Sequence, residues 1–341
     1  MNGAYLDDIR AALSLLPSRD LSGRKVLVTG ASGLIGGAVT DILLGIGDCD
    51  VSVVGRSAER LRRRFPGGSL HIIEADLSKD TVEGEFDYII HSAGYANPAL
   101  YASRPVEVIS MGIRSLTSLL ELAKSRPGTR LLFVSSDEVY GQCDAGVIRE
   151  SDSGYVDCTL PRSSYPSGKR VSETLCAAYS DEYGVDTVIV RPSHVYGPFF
   201  TEGDNRVYAQ FFRNAIAGED IVMKSEGGQM RSWCYSVDCA AAILTVLLKG
   251  ETASAYNIAD NASEFTIRDL AEMTSSAAGT KVVFRLPDDK ESKGYNPVKR
   301  SVLSTERLEA LGWRPCPGNP RNKITTSIFA HKEYIDGTAD A

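Results

Sequence analysis

Short apolar runs that stop at glycine or small polar residues alternate along the first two-thirds of this chain with stretches of helical periodicity. Val26–Thr29 is a run of the first kind, and Leu34, Ile35, Ala38, Val39 and Ile42–Leu44 recur at helical spacing after it. Further strands are predicted at Asp50–Gly55, Leu70–Ala75, Phe86–His91, Arg130–Ser135 and Val185–Arg191. Long helices are predicted over Pro105–Lys124 and Tyr165–Tyr183. This order of strands and helices predicts an α/β fold with a doubly wound parallel sheet. In front of it, Leu6, Ile9, Leu13 and Leu16 lie at helical spacing and Pro17 ends the pattern, so residues 1–22 are expected to dock as a helical extension. Beyond Pro192 the pattern changes. Loops carrying Pro198, Gly203, Gly227 and Gly228 separate a helix at Val237–Lys249, a strand at Ala255–Ala259 and a helix at Thr266–Ala278. The expected division is a sheet-bearing domain over 23–192 that takes back about 232–258. A smaller C-terminal α/β substrate lobe is expected from 193–231 and 259–341.

The turn between the first strand and first helix carries candidate chemistry. Gly30, Gly33 and Gly36 form a GxxGxxG pattern within TGASGLIG. Glycines there let a pyrophosphate approach the backbone, and the helix N-terminus offers unpaired N–H groups and a positive dipole end. Gly30, Ser32, Gly33, Leu34, Ile35 and Gly36 are therefore candidate dinucleotide contacts. Asp76 and Leu77 at the third strand end are candidates for the adenine. Ser92, Ala93 and Gly94 after the fourth strand are small enough for a cofactor to cross the sheet edge. The second strand ends in Gly55-Arg56-Ser57, where an acidic residue normally receives the ribose hydroxyls. Arg56 suits a 2′-phosphate, which leaves NADP open beside NAD.

Two motifs follow at the carboxyl edge. The fifth strand ends in Ser135-Ser136-Asp137-Glu138-Val139-Tyr140-Gly141, and Tyr165-Pro166-Ser167-Gly168-Lys169 places a phenol and an ammonium four residues apart. On one helix face, Lys169 is expected to favour the phenolate of Tyr165 and lower its pKa from about 10. Tyr165 is then a base for an alcohol proton, with Ser136 bonding the same oxygen.

These motifs, with RPSHVYGP (Arg191–Pro198), GQMRSWCYSVD (Gly228–Asp238) and LGWRP (Leu311–Pro315), resemble the extended short-chain dehydrogenase/reductases that act on nucleotide sugars on a Rossmann fold. YPSGKRVSETLC and NRVYAQFFRNAIAGE are most similar to UDP-glucuronate decarboxylases, whereas Asp-Glu after Ser136 resembles nucleotide-hexose 4,6-dehydratases. The resemblance implies that Tyr165 deprotonates the sugar C4 hydroxyl as hydride leaves C4 for bound NAD. The 4-ketone then permits loss of a C6 carboxylate as CO2, or removal of H5 and elimination of a C6 hydroxyl. In a dehydratase Glu138 would be the C5 base and Asp137 the acid. In a decarboxylase Glu138 matches that family's glutamate, and Asp137 brings a carboxylate close to an anionic substrate. Arg231 resembles the arginine that grips the nucleotide diphosphate, with Arg206 and Arg300 as further candidates. Ser193 is expected at the nicotinamide amide. His194 stands where relatives carry an asparagine near the sugar diphosphate. Met111 and Gly112 stand where relatives carry a supporting asparagine, so no proton relay is expected through that helix. A 4-epimerase and a non-catalytic dinucleotide-sensing protein are the remaining readings. The first needs no C5 acid–base pair, and the second has no use for Tyr165 and Lys169.

Composition narrows the partners. Lys and Arg number 37 against 44 Asp and Glu, a net charge of −7 over 341 residues, so nucleic acid is not an expected partner. The basic run Arg60–Arg64 is read as a solvated helix face or a neighbour of the cofactor. Seven cysteines without a CxxC pair and four scattered histidines give no expected metal site or disulfide framework, which fits a reducing cytoplasm. No apolar run reaches membrane-spanning length and no signal pattern opens the chain. The helices Pro105–Lys124 and Tyr165–Tyr183 resemble the pair that builds a four-helix contact in relatives, which implies a homodimer.

Overall fold

The computed structural model describes residues 2–16, 20–285 and 298–339. The chain opens with α1 (Gly3–Leu15), β1 (Lys25–Thr29), α2 (Leu34–Ile46), β2 (Asp50–Gly55), α3 (Ala58–Arg64), β3 (His71–Glu74) and β4 (Tyr88–His91). It continues through α4 (Pro98–Ser103), α5 (Pro105–Lys124), β5 (Arg130–Val134), α6 (Ser164–Tyr183), β6 (Asp186–Pro192), β7 (His194–Tyr196) and α7 (Val207–Ile216). Then come β8 (Ile221–Met223), β9 (Met230–Tyr235), α8 (Ser236–Lys249), β10 (Ser254–Ile258), β11 (Asp260–Thr266) and α9 (Ile267–Ala278). The last elements are β12 (Val282–Phe284), β13 (Arg300–Ser301), α10 (Glu306–Ala310) and α11 (Pro320–Ala339).

Seven strands pair in parallel in the order β10-β6-β5-β4-β1-β2-β3. Side chains alternate across a strand, and β1 shows the consequence. Val26 and Val28 enter the core that contains Ile9 of α1, Ile42 of α2 and Ile243 of α8. Leu27 faces the other way, into a second core with Leu116 and Leu120 of α5 and Cys176 of α6. Helices thus cover both faces, which explains why these strands read as nearly continuous apolar runs. The strand order reverses at β1, so the crevice at the carboxyl ends opens between β1 and β4.

A smaller sheet forms from chain segments beyond β6. β9 runs antiparallel to β11 and parallel to both β7 and β13, while β8 and β12 make a separate parallel pair. α8 packs on α2, and β10 joins the large sheet beside β6. The Thr266 side chain and Asp269 cap α9 reciprocally, so the helix starts at Ile267. Among the described residues no helix is long and apolar enough to cross a membrane.

α1 docks on the body through Tyr5, Ile9 and Ala12. The Tyr5 hydroxyl donates to Asp41 Oδ2 at 2.7 Å, and the Arg64 guanidinium forks onto the same carboxylate, with Nη1 3.1 Å from Oδ1. Arg64 is 5% exposed, so the basic run is not wholly a solvated face as its composition predicts. Its last arginine is drawn inward because Asp41, also buried, needs a cation. Tyr235 donates to Asp8 at 2.9 Å, which ties α1 to the small sheet as well. Removing one partner of a buried pair leaves the other charge uncompensated, so Asp41→Ala is expected to cost about 3–5 kcal/mol. Tyr5→Phe, which removes one hydrogen bond to a charged group, is expected to cost about 1.5–3 kcal/mol. Urea unfolding followed by tryptophan fluorescence checks both; equal midpoints for Asp41→Ala and the unaltered protein would refute the role given to this pair.

Candidate active site

The β1–α2 turn is pressed against the exit of β4. Gly30 has φ +75°, and a Cβ there would lie 2.8 Å from Ala93 N. At Gly36 a Cβ would lie 2.5 Å from both Gly30 O and Ser92 Oγ. The Ser92 hydroxyl donates to Thr29 O at 2.6 Å and fastens the two loops. Gly33 caps α2 with no side-chain bond, leaving the first-turn N–H groups directed to the crevice. A cleft of about 1080 Å³ runs along this edge. Its walls include Gly30, Ser32–Gly36, Arg56, Asp76, Leu77 and Ser92–Gly94. These residues, scattered over the sequence, are brought together on one wall, and the glycine cradle fits a dinucleotide whose phosphates must come close to backbone. Ser193, between β6 and β7, is not among the cleft-lining residues; its buried hydroxyl has no hydrogen-bond partner among the described residues.

Tyr165 lies in the first turn of α6, below the end of β5. Burial, Glu138 and Asp137 push its phenol up to about 12, against a smaller opposing effect of the Ser136 hydroxyl. Lys169 does not lower it as the sequence spacing predicts. The Lys169 ammonium donates to Val134 O at 2.7 Å and sits 5.8 Å from the Tyr165 ring centroid, and burial depresses it to about 8. A lysine held on a backbone carbonyl cannot outweigh two nearby carboxylates. The Tyr165 ring stacks on Tyr101 of α4 at 4.4 Å, with 12° between planes. Behind Lys169, His91 bonds Thr29 Oγ1 at 2.8 Å and Ser115 Oγ at 3.2 Å; its burial lowers its pKa to about 3, so this imidazole stays neutral.

The two carboxylates after Ser136 have different partners. The Arg162 guanidinium grips Glu138 through two parallel bonds of 2.5 and 2.9 Å. Asp137 faces His194 Nδ1 at 3.5 Å and accepts a 3.3 Å bond from Ser301. Burial raises the Asp137 carboxyl, but His194, Arg231 and Ser136 together outweigh burial and hold it below the ordinary value. Arg231 is buried and donates to the carbonyls of Met230 and Val298, with the field of both carboxylates upon it. Arg206 lines the cleft but is bound to Asp204 and Tyr208. Arg300 is exposed, donates to Gly146 O at 3.0 Å and faces Glu264 at 3.7 Å, away from the cleft walls. Sequence reasoning did not single out Arg162 or Tyr101. Arg162 was legible, since it precedes Tyr165 by one helical turn in PRSSYPSGK. Tyr101 had no signal, because only the packing of α4 beside α6 makes it a neighbour.

Residues 26–259 match the family profile described as the NAD dependent epimerase/dehydratase family. UDP-glucuronic acid decarboxylase 5 of Arabidopsis thaliana is 32% identical over 302 residues, which cover 86% of this chain and 85% of that protein. The dTDP-glucose 4,6-dehydratase of Streptomyces venezuelae, solved with NAD bound, superposes with a TM-score of 0.77 at 24% identity, covering 91% of this chain and 97% of that one. The UDP-glucose 4-epimerase of Thermus thermophilus, solved in complex with NAD, gives 0.72 at 25% identity, covering 91% and 99%. With its cleft, its Tyr165–Lys169 helix and this match over most of its length, the chain belongs to the NAD-dependent epimerase/dehydratase family.

Proposed function

We propose that the protein is a nucleotide-sugar lyase that oxidises its substrate transiently at C4, and that the substrate is UDP-glucuronate, which loses its C6 carboxylate as CO2. A bound nicotinamide dinucleotide would supply the hydride acceptor for C4 and the hydride that can later return to the 4-keto pentose. Tyr165 receives the C4 hydroxyl proton, and Ser136, within reach of the same phenol, orients the sugar oxygen. With its pKa pushed up to about 12 the phenol is neutral near neutral pH, so deprotonation needs positive charge beside it. Arg206 already acts in this direction, and Lys169, one helical turn further along α6, would add to it and would hold the dinucleotide ribose.

The observation that supports a carboxylate substrate is how the pocket shields its own carboxylates. Arg162 neutralises Glu138 bidentately, and His194 with Arg231 faces Asp137. An anionic C6 group therefore meets the field of a guanidinium near each carboxylate, Arg162 at Glu138 and Arg231 at Asp137. The Arabidopsis decarboxylase, at 32% identity, supports the same choice. The second reading, 4,6-dehydration of a nucleotide hexose, rests on Asp137-Glu138 itself. It asks Asp137 to protonate a leaving hydroxyl, yet Asp137 is held below the ordinary carboxylate range and carries no proton near neutral pH. The dinucleotide is placed at Gly30–Gly36, Arg56, Asp76, Leu77, Ser92–Gly94 and Ser193. The sugar diphosphate is placed against Arg231, with His194 and the cleft-lining Arg206 beside it. All seven cysteines are free thiols, in keeping with a reducing compartment such as the cytoplasm.

Incubation with UDP-glucuronate is expected to release CO2 and give a UDP-pentose or its 4-ketone by NMR, and Tyr165→Phe to reduce turnover about 10²–10⁴-fold. A 4-keto-6-deoxy product from UDP- or dTDP-glucose, with no CO2 from UDP-glucuronate, would favour the dehydratase instead. Asp137→Ser separates the two chemistries: a decarboxylase is expected to keep its rate within about tenfold, whereas a dehydratase deprived of its acid loses about 10²-fold or more. We also place a homodimer contact on α5 and α6, which pack together and leave Val106, Val171 and Tyr183 exposed. Light scattering is expected to show a two-chain particle at micromolar concentration, and a monomer would contradict the placement.

A further inference from the structure

The adenosine end of the cleft departs from what an NAD ribose requires. The 2′- and 3′-hydroxyls of that ribose are normally received by a carboxylate at the end of β2. Here β2 ends in Gly55, whose carbonyl accepts from Ala75 N at 3.1 Å. A Cβ built on Gly55 would sit 3.1 Å from Leu61 Cδ1 of α3, so a side chain there would press on that leucine, and glycine leaves the strand end without an acceptor group. Three arginines stand next to this point. Arg56, Arg60 and Arg63 line the cleft and are exposed, and none of them has an ion-pair partner among the described residues. The neighbouring Arg64 is different, since it is buried on Asp41.

The opposing charges on this wall are few. Glu59 and Asp76 line the same cleft. Asp76 is occupied by its own turn, accepting from Ser78 N at 3.0 Å and Ser78 Oγ at 2.7 Å, and lies 4.0 Å from Lys79. Ser57 accepts from Arg60 N through its hydroxyl oxygen and keeps its own O–H to donate. This wall therefore offers guanidinium forks and a hydroxyl donor where a ribose hydroxyl pair needs an acceptor. A phosphate monoester is the group that matches it: it carries close to two negative charges near neutral pH and accepts from arginine bidentately.

We propose that the adenosine pocket formed by Gly55, Arg56, Ser57 and Arg60 selects a dinucleotide bearing a 2′-phosphate, so that this chain binds NADP in preference to NAD. The proposal rests on the dinucleotide reading of the cleft and not on the choice of sugar. The redox chemistry at the nicotinamide is the same for both dinucleotides, so a lyase cycle that returns its hydride is compatible with either.

Isothermal titration of the full chain with NADP⁺ and NAD⁺, and with adenosine 2′,5′-bisphosphate and AMP as shorter probes, tests this without any turnover. NADP⁺ is expected to bind at least about tenfold more tightly than NAD⁺, and the bisphosphate more tightly than AMP. The preference is expected to shrink as salt rises. Arg56→Ala is expected to weaken NADP⁺ about tenfold while leaving NAD⁺ within about threefold, with Arg60→Ala acting in the same direction. Unchanged melting of both variants without ligand shows that they are folded. Mass spectrometry of any dinucleotide that co-purifies is expected to find NADP. Equal or tighter binding of NAD⁺, binding of neither dinucleotide, or NADP⁺ affinity untouched in both folded variants overturns the proposal. Failure of UDP-glucuronate turnover would leave it standing, since the readout is binding alone.

Discussion

The close approach of the β1–α2 turn to the exit of β4 is the constraint from which the rest of the site follows. Two backbone segments meet there with no room for a Cβ at Gly30 or Gly36, and the Ser92 hydroxyl bridges them to Thr29. Parallel strands place every carboxyl end on one edge of the sheet, but it is this contact that brings the start of α2 beside the β4 exit loop. The dinucleotide cleft is the space left along that seam. Because β5 and β6 are the next strands on the same side, Ser136–Glu138 and Ser193-His194 arrive at the same edge without any further folding device.

Electrostatics then divides this edge into two regions of different character. At the sugar end, carboxylates and guanidiniums are matched: Glu138 to Arg162, Asp137 to the field of Arg231 with the His194 ring beside it, and Asp204 to Arg206. Matched groups in a partly buried site hold fixed orientations, which is what proton transfer at a sugar carbon demands. At the adenosine end, the arginines are solvated and unmatched. The first end is preorganised around reacting atoms, whereas the second presents exposed guanidiniums along the cleft wall. The stacked Tyr101–Tyr165 pair marks where α4 closes over the first end.

The surroundings of Tyr165 also explain why its phenol lies above the ordinary tyrosine pKa. Burial and two carboxylates act on Tyr165, and the one nearby ammonium is held on a strand carbonyl. A tyrosine–lysine spacing in sequence therefore specifies that the two groups share a helix face, and no more. Whether the ammonium reaches the phenol depends on what competes for its protons.

The amino-acid sequence by itself determined the doubly wound sheet, the glycine turn, the membership of Tyr165 and Lys169 in one helix, and the position of Ser136, Asp137 and Glu138 at a strand end. These are local properties: periodicity, the steric permissiveness of glycine and helical spacing all act within a few residues. Only the tertiary structure decided which charges face each other. Arg162 could pair with Glu138 only once the short 3-10 turns Asp137–Tyr140, after β5, and Pro161–Ser163, before α6, were brought side by side. Arg300 reads as an anion ligand from its motif, yet the Gly146 carbonyl, met only through folding, engages it first. Arg64 looked solvated until α1 and α2 enclosed it against Asp41. The reason is the same in each case: a side-chain charge acts on whatever lies within a few ångströms in space, and the chain order of the residues that supply those neighbours does not specify it.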